Sequence, residues 1–456
     1  MAGIGFEIRK TLKKKTIFSL IEAYSYSGLV SSGPWIISMI SIFISGYLAN
    51  KILHNNEIVI QFTISITYLI ALSLIVTGFF QLSFTRYLAD RLFEQKLDDI
   101  LPNTLGALLI NMLLGAIFIL PFSYNIYQHT GLEYALLFEL TFIVFCGIWI
   151  ANVILSGLKN YKFIAFSFFV SYTLIVILIY FFGHLGRTYL LLSFFIGQAV
   201  LFLMLVGLIS KNFTTKKYLD FDFLKKGRLF TSLIFTGFFM NIGIWIDKFI
   251  FWYNPQTGVD MLGVLRFSPI YDFPIFLAYI TIAPGMAMFL LRVETEFVEH
   301  YDKFYNAVRD GGTLKELYKY GNSMIESARY SLMEILRVQI LSTLIFIIFA
   351  KQIFGFFHMP LIYLPIFYVD LIGVALQLFL MSITVILFYL NKRIEVLKLS
   401  ILVFVLNGVL SYISIQLGPF FYGYGFSIAY FITSVIAVLY LNKIFERLYY
   451  ETFMLS

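Results

Sequence analysis

The sequence has little charge and almost no cysteine. Asp, Glu, Lys and Arg make up 13% of the 456 residues, whereas a soluble domain carries roughly 25%. The single cysteine, Cys146, lies inside an apolar run, so an intrachain disulfide is excluded. The sequence also lacks a P-loop, an HExxH motif and any Cys/His cluster. These absences predict a protein that is not an enzyme and that has no metal centre of the common kinds.

Apolar residues are abundant instead, at 60% of the chain, and they are arranged in twelve long runs. A helix of about 20 apolar residues crosses the hydrocarbon core of a bilayer. We therefore predict an all-α polytopic membrane protein with about 12 transmembrane helices. The predicted spans are 28–50, 58–82, 101–123, 133–156, 162–183, 188–210, 229–252, 267–291, 330–350, 361–390, 396–417 and 421–442.

Lys and Arg gather in alternate loops between these spans. Of the 33 basic residues, only Lys51, Arg187, Arg266 and Lys351 lie in the loops of the opposite side. Basic loops near span ends resist translocation, so both termini are predicted to be cytoplasmic. The formal charge of +7 then reflects membrane topology, and no nucleic-acid partner is predicted.

The longest basic linker, residues 211–228, divides the predicted spans into six and six. We predict two six-helix bundles, 28–210 and 229–456, with parallel repeats as one plan for such a transporter. Residues 1–27 contain a basic cluster and are predicted to form an interfacial segment on the cytoplasmic membrane surface.

The cytoplasmic stretch 293–328 within the second bundle carries an amphipathic pattern. Gly311-Gly312 divides it into two pieces. One interpretation is a pair of helices lying on the lipid headgroups. The other is a docking surface for a cytoplasmic partner, formed by Phe297, Tyr301, Phe304, Val308, Leu314 and Leu317.

Span seven has an unusual helical face. Asn241, Trp245, Lys248 and Trp252 recur at intervals of four, three and four residues, beside Asp247. Indole rings stack on the C–H faces of sugars, and amide and ammonium groups bond hydroxyls, so this face suits a carbohydrate pathway. The alternative is an interfacial tryptophan belt with a locally paired lysine.

Prolines mark candidate hinges. Span eight contains Pro269, Pro274 and Pro284, and span one contains Gly33-Pro34. Because proline removes a backbone donor and bends its helix, we predict moving or cavity-lining segments there, with purely structural kinks as the alternative.

Ionisable groups within spans are costly and often functional. An acidic outer vestibule, which could also bind a coupling cation, is predicted from Glu139, Asp247, Lys248, Asp272 and Asp370, with Arg266 at its mouth. Glu334 and Arg337, near the inner end of span nine, are predicted to form a structural pair.

Several of these segments resemble the PelG family, the inner-membrane transporters of the Pel exopolysaccharide system. The likeness lies in MAGIGFEIRK at 1–10, SSGPW at 31–35, DKFIFW at 247–252, PIYDFP at 269–274 and RVETEF at 292–297. It extends from the first residue through the C-terminal half.

The resemblance implies a flippase of the MOP superfamily, with two six-helix bundles that rock around a central cavity. It implies a substrate that is a polymer of N-acetylated aminosugars, and partners similar to the glycosyltransferase PelF and the membrane proteins PelD and PelE. The alternatives are a lipid-linked oligosaccharide or drug flippase, and a scaffold that recruits the glycosyltransferase.

Overall fold

A computed structural model describes residues 17–157, 160–213, 215 and 217–454. Within these residues, twelve helices are long and apolar enough to cross a membrane. Residues 1–16, which include the basic cluster and the first ten residues of the PelG-like pattern, lie outside the described residues. The chain divides into two compact units, which we call the central unit (Pro34–Pro269) and the composite unit (the described residues up to Gly33 and from Ile270 onward).

The central unit contains seven long helices and a β-hairpin. They are α2 (Gly33–Leu53), α3 (Asn56–Phe93), α4 (Ile100–Thr130), α5 (Leu132–Gly157), α6 (Tyr161–Phe182), α7 (Arg187–Asn212), α8 (Thr231–Tyr253), β1 (Val259–Leu262) and β2 (Leu265–Phe267). Asn55 caps α3 by accepting hydrogen bonds from the backbone N–H groups of Glu57 and Ile58.

The composite unit contains α1 (Ile17–Ser31) and the helices that follow the hairpin. These are α9 (Pro269–Ile280), α10 (Ile282–Leu291), a π-helical turn (Arg292–Phe297), α11 (Val298–Arg309), α12 (Leu314–Ile348), α13 (Ala350–Phe356), α14 (Leu364–Tyr389), α15 (Arg393–Leu417), α16 (Tyr424–Glu446) and α17 (Leu448–Met454). A short 3-10 turn at Leu361–Tyr363 precedes α14, which accounts for the excess length of the predicted tenth span.

The boundaries of the two units differ from the predicted bundles 28–210 and 229–456. The chain passes between the units at Gly33/Pro34 and at Pro269/Ile270. The seventh span, α8, therefore belongs to the central unit, where it packs along α3. Hydropathy places spans along the chain but contains no information about which apolar helices pack together.

The first crossover divides the predicted span 28–50. The helix breaks at Ser32, whose hydroxyl donates to the carbonyl of Gly28 at 2.8 Å. On the N-terminal side, α1 packs against α10. There, the Tyr24 hydroxyl donates to the Pro284 carbonyl at 2.8 Å. The described part of the predicted interfacial segment, residues 17–27, is thus packed against a neighbouring helix.

The eighth and ninth spans are longer than a bilayer requires. The eighth runs from Pro269 to Arg309 and the ninth from Leu314 to Ile348, which are 41 and 35 residues. At 1.5 Å per residue the longer one spans about 60 Å, against about 30 Å of hydrocarbon. The segment 293–328 is therefore a helical hairpin continuous with the two spans, and the prediction of two separate interfacial helices is corrected.

The turn of this hairpin follows from its sequence. Gly311 has a φ of 72°, a left-handed conformation that glycine adopts without strain. Thr313 and Glu316 then form a capping box that starts α12.

A β-hairpin follows α8, which the apolar pattern did not predict. Side chains from neighbouring helices form hydrogen bonds with the backbone of its second strand, β2, and of the turn that precedes it. The Tyr68 hydroxyl accepts from the Arg266 N–H at 3.2 Å and donates to the Arg266 carbonyl at 3.1 Å. The Asn125 amide oxygen on α4 accepts from the Val264 N–H at 2.9 Å, and the Tyr253 hydroxyl on α8 donates to the Val264 carbonyl at 2.7 Å. Two more helices of the central unit thus hold the hairpin.

Helices α3 and α8 meet at two glycines. A Cβ atom at Gly78 would lie 2.7 Å from the Gly237 carbonyl oxygen, and one at Gly237 would overlap the Gly78 carbonyl. Small residues allow this close approach of two backbones, as in other membrane helix pairs.

We expect Gly237→Ala to destabilise the protein by about 1–3 kcal/mol, because the obstructing atom belongs to the backbone and cannot move aside. The measurement is the thermal unfolding midpoint of the purified protein in detergent. Gly207→Ala on α7 is the matched control, since nothing lies within 4 Å of a Cβ atom there. Equal midpoints for the two variants would contradict the close packing.

Candidate translocation site

An ion pair lies inside α8, a membrane-spanning helix of the central unit. Asp247 is fully buried and Lys248 is 4% exposed. The Lys248 ammonium lies 2.9 Å and 3.3 Å from the two carboxylate oxygens of Asp247, and it also donates to the Ile244 carbonyl at 2.9 Å. The pair therefore neutralises two charges that the bilayer would exclude.

This geometry changes the predicted vestibule. Asp247 is bound to its neighbour, so its charge does not add to a common acidic surface. Removing one partner of a buried pair leaves an uncompensated charge, which typically costs 3–5 kcal/mol, whereas replacing both is often tolerated.

Asn241 lies where α8 crosses α3. Its amide donates to the Gly237 carbonyl at 3.0 Å, and its nitrogen would be 2.8 Å from a Cβ atom at Gly78. Close by, the rings of Phe79 and Phe238 are stacked with centroids 4.4 Å apart. The amide is thus positioned by the same close helix contact that joins α3 and α8.

The two tryptophans of α8 have different environments. Trp252 is 2% exposed and its ring stacks on Tyr68 at 4.8 Å. Its face is already occupied by an aromatic ring, so the prediction that it stacks on a sugar is corrected. Trp245 is half-buried and its ring centroid is 6.3 Å from that of Trp252. Trp245 is therefore the indole of this helix that remains partly accessible.

Arg266 and Glu139 also belong to the central unit. The guanidinium of Arg266 donates to the Gly258 carbonyl at 3.2 Å, which holds the base of the β-hairpin. Glu139 is half-buried and accepts a hydrogen bond from Ser123 at 3.3 Å. Both side chains have local structural partners.

The sequence reasoning missed a polar contact in the interior of the central unit. The Asn111 amide donates to the Thr77 hydroxyl at 3.0 Å and to the Cys146 carbonyl at 2.8 Å. The Trp149 indole donates to Ser73 at 2.9 Å. The available signal was Asn111 in the middle of the apolar run 101–123, since a buried amide in a span needs partners.

The composite unit contains the other two predicted carboxylates. Asp370 is fully buried in α14, close to Gly423, while Asp272 is half-buried in the first turn of α9. Groups of three or more His, Cys, Asp and Glu with metal-binding geometry are absent from the described residues.

Span eight is broken at Thr281, between α9 and α10. Pro284 has no N–H to offer the carbonyl one turn earlier. Side chains from α12 support the break: the Ser342 hydroxyl donates to the Thr281 carbonyl at 2.9 Å, and the Gln339 amide donates to the Thr281 hydroxyl at 3.4 Å. The predicted kink region is thus a discontinuous helix held by polar contacts. Pro274 lies inside α9, and Pro269 begins it.

The Glu334–Arg337 contact forms as a salt bridge of 2.6 Å. Arg292, in the π-helical turn, lies 2.5 Å from Glu296 and 4.0 Å from Glu334, and its guanidinium is 4.9 Å from the Tyr330 ring centroid. This cluster connects the eighth and ninth spans.

The predicted docking stripe is mostly covered by the chain itself. Phe297 and Phe304 are fully buried. The Phe297 ring packs 5.9 Å from Tyr389 of α14, and the Phe304 ring packs 6.2 Å from Tyr449 of α17. The prediction of an open aromatic surface at these two residues is therefore corrected.

The remaining stripe residues vary in exposure. Tyr301 also contacts Tyr389, with ring centroids 5.6 Å apart, and Val308 is half-buried. Leu317 is buried, while Leu314 is 68% exposed. Leu314, at the start of α12, is therefore the most exposed apolar side chain of the stripe.

Solved structures similar to this chain include MATE proteins and transporters of the MOP superfamily. An inward-facing multidrug resistance MATE family transporter of the MOP superfamily is 14% identical, covers 92% of this chain and 98% of its own, and has a TM-score of 0.61. A MATE protein in the bent conformation is 13% identical over 98% of both chains, with a TM-score of 0.65. A MOP superfamily transporter from Pyrococcus furiosus is 13% identical over 92% of this chain and 96% of its own, with a TM-score of 0.64. These similarities establish the fold.

No curated protein sequence matches this chain. One family model, "PelG: Putative exopolysaccharide Exporter (EPS-E)", matches residues 1–453. That match covers nearly the whole chain, and the fold agrees with it. The chain belongs to the PelG family of exopolysaccharide exporters, and it is a multi-pass membrane transporter with a MOP-superfamily fold rather than an enzyme.

Proposed function

We propose that this protein moves a Pel-like polymer of N-acetylated aminosugars across the bacterial inner membrane, with both termini in the cytoplasm. The observation that carries the proposal is the division into two compact units at two proline-marked positions, Gly33/Pro34 and Pro269/Ile270. The chain passes between the units at two places, one beside a helix break and one beside the β-hairpin. So few connections are compatible with units that move as rigid bodies. Alternating access requires such motion.

The side chains of α8 support a sugar substrate. Trp245 offers a partly accessible indole face, and Asn241 offers an amide beside the α3–α8 crossing. Aromatic rings and neutral amides bind uncharged sugars without requiring a charged substrate. In this proposal, the Asp247–Lys248 pair positions the face that carries Trp245.

The partners are part of the proposal. A PelF-like glycosyltransferase would supply the growing polymer, and PelD-like and PelE-like membrane proteins would assemble with the transporter. Because Phe297 and Phe304 are covered within the chain, we place the contact for a cytoplasmic partner at the exposed start of α12, around Leu314.

The first test replaces Trp245 in a producing cell. We expect Trp245→Ala to lower the exported polymer by about tenfold with normal protein abundance, and Trp245→Phe to retain part of the export. Phe235→Ala is the matched control, because Phe235 lies on the same helix and is 50% exposed. Polymer inside and outside the cell and synthase activity are measured together. Normal export with Trp245→Ala would refute the sugar-binding role, and loss of synthase activity after gene deletion would favour a scaffold.

The second test separates structure from transport at the ion pair. Asp247→Asn and Lys248→Met should each destabilise the protein by about 3–5 kcal/mol, because each leaves a buried charge without its partner. The double variant should regain most of the stability, as measured by unfolding in detergent. A loss in the double variant equal to the sum of the two single losses would show that the pair is not energetically coupled. Polymer export by the folded double variant then reports whether the pair serves transport directly.

The third test concerns a coupling cation, which we propose to act at the carboxylates of Asp272 and Asp370. We expect Asp370→Asn to abolish the dependence of export on an ion gradient while the protein remains folded. Sodium and proton gradients are imposed separately on reconstituted vesicles. Glu326→Gln, an exposed carboxylate on α12, is the control. An unchanged gradient dependence in Asp272→Asn and Asp370→Asn would eliminate this proposal.

A further inference from the structure

A cleft in the central unit lies where the linker between α7 and α8 returns to the helices. Its volume is about 340 Å³. The residues that line it and bear on its chemistry are Tyr87, Asp90, Arg91, Glu94, Gly227 and Arg228. Two guanidinium groups and two carboxylates thus face one small space.

The linker is firmly attached at this place. Its Asp222 is 7% exposed, accepts a hydrogen bond from the Tyr87 hydroxyl at 3.2 Å and pairs with Lys225 at 2.8 Å. Arg228 also pairs with Asp222. The Phe223 ring packs edge-on against Phe84, with centroids 5.2 Å apart. These contacts hold one wall of the cleft against α3.

The cationic side of the cleft has unused hydrogen-bonding capacity. Arg91 is 6% exposed, and its guanidinium lies over the Tyr87 ring at 5.4 Å. Its Nε is buried and lacks an acceptor among the described residues, and its terminal Nη2 group donates to Glu94 at 2.9 Å. Two bases, Lys225 and Arg228, share the single carboxylate of Asp222, so donors of Arg228 remain for another anion.

One of the residues that line the cleft, Gly227, has no side chain. Gly227 has a φ of 91°, and nothing lies within 4 Å of a Cβ atom there. A ligand can therefore approach the backbone between Lys226 and Arg228.

The anionic side consists of two carboxylates one helical turn apart. Asp90 pairs with Arg86 at 3.1 Å, and Glu94 pairs with Arg91 at 2.9 Å and Lys96 at 2.8 Å. Both acids remain more than a third exposed. The hydrogen bond from Lys96 lowers the pKa of Glu94, so its carboxylate is charged at neutral pH.

The cleft also lies near the ends of two membrane-spanning helices, α3 and α4. The linker backbone bonds to α4 near its start, since the Asp220 N–H donates to the Pro102 carbonyl at 3.1 Å. The apolar stretch of α4 begins there. Next to the cleft, Leu92 is 37% and Phe93 is 81% exposed, which is typical of residues that contact lipid. The headgroup zone extends roughly 5–8 Å beyond the hydrocarbon on each side.

We propose that this cleft binds the headgroup of an aminophospholipid, a phosphate diester joined to a primary ammonium. Arg91 and Arg228 bind the phosphate, and Asp90 and Glu94 accept hydrogen bonds from the ammonium. The acyl chains lie against Leu92 and Phe93. A choline headgroup lacks the N–H donors, and a glycerol headgroup lacks the positive charge, so both satisfy only half of the site.

The test titrates the purified full-length protein with phosphatidylethanolamine, phosphatidylcholine and phosphatidylglycerol of identical acyl chains, and measures bound lipid by native mass spectrometry. We expect the ethanolamine lipid to bind about tenfold more tightly than either of the others. Equal binding of all three lipids would mean non-specific annular lipid only, and strongest binding of the glycerol lipid would mean a simple anion site. Either result overturns the proposal.

Two variants examine the halves of the site. Asp90→Asn combined with Glu94→Gln should reduce ethanolamine-lipid binding to the choline level without weakening binding of the glycerol lipid. Arg228→Gln should weaken binding of all three lipids, because each of them carries the phosphate diester. Glu326→Gln on α12 is the control and should keep the preference. An unchanged preference in the acidic double variant refutes the assignment, even if Arg228→Gln fails to fold.

Discussion

Backbone hydrogen bonding in a solvent without water is the constraint on which this structure depends. A peptide group exposed to hydrocarbon must find its partner within the protein, so where a spanning helix breaks, neighbouring side chains or local changes in helix geometry must satisfy the freed backbone groups. Side-chain hydroxyls contact backbone carbonyls near both breaks. Ser32 donates to Gly28 near the first crossover, and Ser342 donates to Thr281 and Tyr24 to Pro284 near the break of span eight. Hydroxyl groups thus accompany the prolines at both places where a spanning helix breaks.

The same constraint explains why much of the architecture could be predicted. Twelve spans follow from apolar length alone, and the breaks near Gly33-Pro34 and Pro284 follow from the missing N–H of proline. The Glu334–Arg337 pair follows from helical spacing. Each of these features depends on residues close together in the sequence, where the geometry of a single helix determines the distance.

The features that could not be predicted depend on residues far apart. Trp252 was expected to face a sugar, but Tyr68, from another helix, occupies its ring. Phe297 and Phe304 have the pattern of an open stripe, and rings from α14 and α17 cover them. An amphipathic pattern identifies an apolar face but not the surface that meets it. The assignment of α8 to the central unit has the same origin, because two glycines decide which neighbour approaches most closely.

All four tryptophans, Trp35, Trp149, Trp245 and Trp252, and the single cysteine lie between Pro34 and Pro269. The composite unit contains tyrosine and phenylalanine as its only aromatic side chains. Fluorescence excited in the indole band therefore originates from one compact unit alone. Intrinsic tryptophan fluorescence thus reports on the central unit alone. A probe introduced into the composite unit would report on that unit separately.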